Sequence, residues 1–146
     1  MTRVAALPPY GESITLEGAK QAADAALAVA RANGWCVVVA VVDTGGHLVC
    51  LERLDQTAVG CVAVAVQKAH SAAVFKRRTR VFQERLARGG EELRLLRLEG
   101  AVPIEGGVPI IVASKLVGAI GVSGAASAQD ELCAEAGAAV LAGITE

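Results

Sequence analysis

Lys68 has the most to explain in this chain. It sits in the stretch Ala58–Phe75, which is otherwise small or apolar apart from Gln67, His70 and Ser71. An ammonium in such a setting must snorkel to water, pair with a carboxylate such as Asp43 or Glu105, or face a pocket. His70 follows two residues later, so on a helix it points to a different side. It is a candidate metal or haem ligand, or a hydrogen-bonded histidine at a subunit contact. His47 opens a segment after a turn and reads as exposed, with ligation as the sharper alternative. Asp43 begins that turn, where a carboxylate caps backbone amides or acts as an acid/base. Arg53 and Asp55 are an ion pair or a grip on a ligand carboxylate.

Glycines supply the second set of candidates. Gly106-Gly107 and the run Gly118-Ala119-Ile120-Gly121-Val122-Ser123-Gly124 could offer amide donors to an anion. Neither is the G-x-G-x-x-G fingerprint, and the second run follows an expected antiparallel hairpin, so a dinucleotide fold is rejected. No P-loop, nucleophile elbow or H-E-x-x-H helix occurs. Cys36, Cys50, Cys61 and Cys133 lack C-x-x-C spacing and read as free, buried thiols in a reducing cytoplasm, with no metal site.

These residues are positioned by a simple series of elements. The alternating three- and four-residue spacing of Leu16, Ala19, Ala23, Ala26 and Ala30 predicts a helix over Thr15–Asn33, closed by Gly34. Cys36–Val42 is a continuous apolar run, expected as a central strand covered on both faces. It returns through Asp43–Gly46 into a second strand, His47–Leu54. Ala58–Phe75 is a helix apolar all round, which implies sheet on one side and another subunit on the other. Arg78–Arg88 reads as a surface helix with a stripe of Val81, Phe82 and Leu86, followed by a short turn or helix over Glu91–Leu98. Ala101–Ile104 is a possible short strand. Val108–Ala113 and Leu116–Ser123 form a hairpin around Ser114-Lys115, and a last helix runs to about Ala142 with Ser127 as N-cap. The expected architecture is α+β, with two hairpins in one antiparallel sheet and helices on its faces.

A chain of 146 residues is one domain, here 1–146 with 1–13 as a lead-in. Its content is 53% hydrophobic and only 20% charged, more apolar surface than a small monomer readily hides, which points to oligomerisation. No run is long enough for a transmembrane helix, and Met1–Gly11 lacks the apolar core of a signal peptide. Net charge is −1, which argues against a general nucleic-acid binder. The eight basic residues from Lys76 to Arg97 face only Glu84, Glu91 and Glu92. They read as a solvated helix face or an anion site, without the aromatic residues that stack bases.

Several of these segments together resemble the GlcG/HbpS family, also found as the C-terminal domain of PduO-type proteins and often labelled haem-degrading. Val39–Gly46 is similar to its first strand and turn, and Arg53-Leu54-Asp55 to its R-x-D segment. Lys68-Ala69-His70-Ser71-Ala72 is similar to its K-A-x-T-A helix, with serine in place of threonine. Gly106–Ile110 resembles its glycine loop, and Gly118–Gly124 with Gln129-Asp130-Glu131 its closing signature. The likeness spans about residues 15–141. It implies a profilin-like α/β/α layering around an antiparallel sheet of about five strands. It also implies a homo-oligomer, often of eight or more subunits, an octamer among the forms, with haem as leading ligand. The pocket it implies uses Gly106-Gly107, the Lys68 helix and the Ser123-Gly124 end. It assigns no axial haem ligand to this chain.

The sequence therefore leads to an oligomeric, cytoplasmic binder of a small anionic organic molecule. Arg53, Lys68 and the basic run would hold carboxylates, with His70, Gly106, Gly107, Ser123 and Gly124 completing the site. A lyase, hydratase or isomerase of a small carboxylated metabolite, with Lys68 or Asp43 as acid/base, is the alternative. A non-catalytic scaffold subunit is a further one.

Overall fold

The computed structural model describes residues 6–142, so the first five residues of the expected lead-in lie outside it. Helix α1 spans Leu16–Asn33, with Thr15 accepting from the Gly18 amide and left-handed Gly34 closing the far end. Strands β1 (Val38–Val42) and β2 (Leu48–Arg53) form the first hairpin. Helices α2 (Cys61–Val74) and α3 (Thr79–Ala87) follow, then a 3₁₀ segment, Gly90–Arg97. Strands β3 (Gly107–Val112) and β4 (Lys115–Ser123) form the second hairpin, and α4 runs from Ser127 through Ala142.

The sheet has four strands, ordered β2-β1-β4-β3 and antiparallel throughout, so the α+β reading holds with one strand fewer than expected. Ala101–Ile104 is not a strand. The lead-in bridges the start of β4 on its β1 side, beyond the end of β1. Gly11 donates its amide to the Leu116 carbonyl and the Leu116 amide donates to Pro9, leaving one parallel bridge at Tyr10. The second hairpin turns at Ala113-Ser114, one residue earlier than expected, with both φ angles positive at 50° and 64°.

Alternation along the strands sorts the core into two halves. Val39, Val41, Ile120 and Val122 face α1 and α4; Val38, Ala40, Val42 and Ala119 face α2. The result is three layers, with α1 and α4 on one face and α2 on the other. Alanines bring the backbones close. A Cβ at Gly121 would strike the Ala65 carbonyl of α2, and one at Gly137 would lie 2.7 Å from the Ala22 carbonyl of α1. β3 is an edge strand. Its outward Gly107 amide donates to Thr79 Oγ1 at 2.9 Å, and Pro109, next in the outward row, has no amide hydrogen to offer.

Candidate functional site

Helix α2 faces the sheet with Ala65, Lys68, Ala69 and Ala72, all buried. Lys68 is 1% exposed, yet its stem carries the ammonium along β4 rather than out to water. Nζ donates to the Val122 carbonyl at 2.9 Å and to Asp130 Oδ2 at 3.2 Å. The partner is thus Asp130 of α4, and neither Asp43 nor Glu105. The other Asp130 oxygen accepts the Ala125 amide at 3.0 Å. Beside it, Glu131 Oε1 accepts the Gly106 amide at 3.1 Å, while Oε2 lies 3.4 Å from the Arg78 guanidinium. Arg78 also reaches Glu135 at 2.7 Å.

The glycines belong to this junction. A Cβ at Gly106 would sit 2.8 Å from Lys68 Nζ, one at Gly107 would strike the Lys68 carbonyl, and one at Gly124 would strike the Cys36 carbonyl. Ser123 ends β4 opposite Val38 and is buried. Lys68, Gly106, Gly107, Ser123 and Gly124 therefore meet at one end of the sheet, in close packing. Burial pushes the Asp130 carboxyl above its ordinary value, against the pull of Lys68 and the nearby amides. Burial also raises Glu131, against Arg78 and the Gly106 amide.

A second constellation lies at the other end of β1. Asp43 Oδ1 accepts the amides of Gly45 and His47, each at 2.9 Å, so the carboxylate caps the β1–β2 turn. Its backbone carbonyl accepts the Gly46 amide at 3.0 Å. The Gly46 carbonyl in turn meets His70 Nδ1 at 3.0 Å. A carbonyl only accepts, so Nδ1 carries the hydrogen and the neutral ring presents its lone pair at Nε2. Gly46 is needed for this approach. Its φ is +81°, and a Cβ there would lie 2.5 Å from Nδ1. His70 lines an open cleft of about 380 Å³ with Val66, Gln67, Gly100, Ala101 and Val102.

The remaining candidates are scattered. Arg53 ends β2 in register with Val38, and its side chain is exposed. His47 is exposed, 3.5 Å from Asp43. The basic run is laced internally, Arg80 to Glu84 at 2.9 Å and Arg85 to Glu92 at 2.6 Å. Lys76 lies 4.3 Å from the Tyr10 ring centre, and Arg77 borders the same shallow cleft of about 300 Å³ against β3. The four cysteines are free, but only Cys133 is buried, and Cys36 is exposed. Ser127 is the first residue of α4 rather than its cap. Its hydroxyl lies 3.4 Å from Glu105, while Gln129 and Asp130 bond back to the amides before the helix. Among the described residues, no three His, Cys, Asp or Glu gather to hold a metal ion, and no helix is long and apolar enough to cross a membrane.

Sequence reasoning passed over Asp130 and Glu131 as charge partners. The available signal was the adjacent acids Asp130-Glu131 in the first turns of a largely apolar helix, matching a lone lysine in another.

The model of the family described as "Haem degrading protein HbpS-like" matches residues 14–139. The chain belongs to the HbpS-like family. Among relatives, it is 39% identical to Protein GlcG of Escherichia coli K12 over 94 residues, 64% of this chain and 69% of GlcG. The structure of an HbpS double mutant from Streptomyces reticuli superposes with a TM-score of 0.81 at 34% identity, covering 97% of each chain. A PduOC structure, described as a haem complex, shares the fold at a TM-score of 0.78 and 24% identity, covering 87% of this chain and 94% of that one. In this HbpS-like chain Lys68 and Gln129-Asp130-Glu131 sit at a packed charged junction, and His70 lines a cleft elsewhere.

Proposed function

We propose that this chain is a cytoplasmic, homo-oligomeric binder of an anionic organic molecule with a large apolar body, haem being the leading candidate. The observation that carries this reading is the cleft beside α2. Val66, Ala101 and Val102 give it apolar walls, and Gln67 and His70 give it a few oriented polar groups. The tautomer held by Gly46 fits haem, because it leaves a nitrogen lone pair at Nε2 for iron. When bound, haem would supply the iron and the acidic side arms; the chain supplies the cleft and its donor. The family's description as haem-degrading and the PduOC haem complex support this ligand class.

Lys68, Gly106, Gly107, Ser123 and Gly124 are proposed as the frame that holds α2 to β4, with Arg53 and the basic run as outlying cations for acidic groups. Lys68 and Asp43, the two acid/base candidates, each engage internal partners, which weighs against a lyase or isomerase. Exposed Val59 just before α2 and half-buried Val62 and Val66 on it favour self-assembly, with an octamer as one expected form.

Titration of the purified protein with hemin is expected to give a saturable Soret shift near one equivalent per subunit. A featureless, non-saturating rise like nonspecific uptake by albumin would remove haem and leave the scaffold reading.

A further inference from the structure

We propose that His70 is the residue that ligates haem iron in this chain, through Nε2, and that the Asp43–Gly46 turn is the device that aims it. The inference rests on the haem-binding reading above and names its donor.

A histidine that ligates a metal needs its second nitrogen held by an acceptor, which fixes both the tautomer and the ring plane. Here that acceptor is the Gly46 carbonyl, 3.0 Å from Nδ1. The carbonyl is itself held. The Asp43 carboxylate ties down the amides of Gly45 and His47, and the Asp43 backbone carbonyl receives the Gly46 amide at 3.0 Å. Only glycine at position 46 permits this approach. A side chain there would collide with the imidazole, since a Cβ would lie 2.5 Å from Nδ1.

Nε2 has no hydrogen-bond partner among the described residues. It lies toward Gly100, where a Cβ would stand 3.9 Å from it, and Gly100 and His70 line the same cleft. Asp43 therefore acts through the turn as a positioning residue, and its carboxylate does not touch the ligand.

Wild-type protein and His70→Ala would be titrated with hemin, and both ferric complexes examined by absorption and electron paramagnetic resonance. The wild type is expected to show a nitrogen-ligated spectrum. His70→Ala is expected to lose that signature and to bind hemin about tenfold or more weakly, with unchanged thermal unfolding of the ligand-free protein. Added imidazole should restore the wild-type spectrum in the variant. Asp43→Ala, which keeps the imidazole but loosens its mount, should broaden the signature without abolishing it. A His70→Ala variant with wild-type affinity and spectrum would overturn the assignment while leaving haem binding intact. Failure of the wild type to bind hemin saturably would instead reject haem as the ligand, and the assignment with it.

Discussion

Replacing Lys68 by methionine would leave Asp130 in the interior without its cation. Removing one partner of a buried ion pair costs about 3–5 kcal/mol, whereas replacing both by apolar groups is often close to neutral. Lys68→Met is therefore expected to lower the unfolding midpoint sharply, and Lys68→Met with Asp130→Leu to recover much of it. Denaturant melts of the two single variants and the double would check this; additive losses would show that the pair is not coupled. The pair also sets a pH signature. Because burial raises Asp130 above its ordinary value of about 4, the folded chain holds a proton that the unfolded chain has released between that value and the raised one. Stability from this group is full below that window and falls as pH rises through it, and Glu131 has the same sign. Asp130→Asn should flatten the slope. The lysine was legible in the sequence because an ammonium among alanines and valines demands an explanation. Its partner was not, since Asp130 stands 62 positions away and only the packing of α4 on β4 brings them together. His70 was legible as a candidate. The carbonyl that orients it was not, because a backbone acceptor leaves no mark in residue type.

The elements were legible where periodicity is strong. α1 announced itself by its alanine stripe and Gly34, and β1 by five consecutive buried positions. The second hairpin was placed one residue off because its turn is Ala113-Ser114, at positive φ, where asparagine and glycine are the usual markers. Ala101–Ile104 has strand-like residues but pairs with no strand among the described residues. The contact of α2 with β4 depends on the absence of a side chain at one position. Gly121→Ala would drive a methyl group into the Ala65 carbonyl, a backbone atom that cannot swing aside. Overpacking of this kind costs about 1–3 kcal/mol or more. A thermal melt indistinguishable from wild type would show that α2 slides freely on the sheet.

For the whole molecule, the apolar composition read from the sequence has a visible counterpart on the outside. Val59, in the turn that precedes α2, is 78% exposed and Leu132 of α4 is 53% exposed. Should α2 carry a subunit contact, Val59→Glu would reduce the mass seen by light scattering without disturbing the fold of the subunit, since the side chain touches little within it. An unchanged mass would move the contact to another face. The cleft beside α2 was not legible from composition, because it is made by two separated segments, Val66–His70 and Gly100–Val102.

The proline in edge strand β3 has a consequence for edge-on pairing. With one main-chain donor occupied by a threonine hydroxyl and the next missing, a neighbouring copy finds no ladder to extend along that border. Edge-on addition of another chain is thereby hindered at the β3 border, which removes one route to open-ended fibrils.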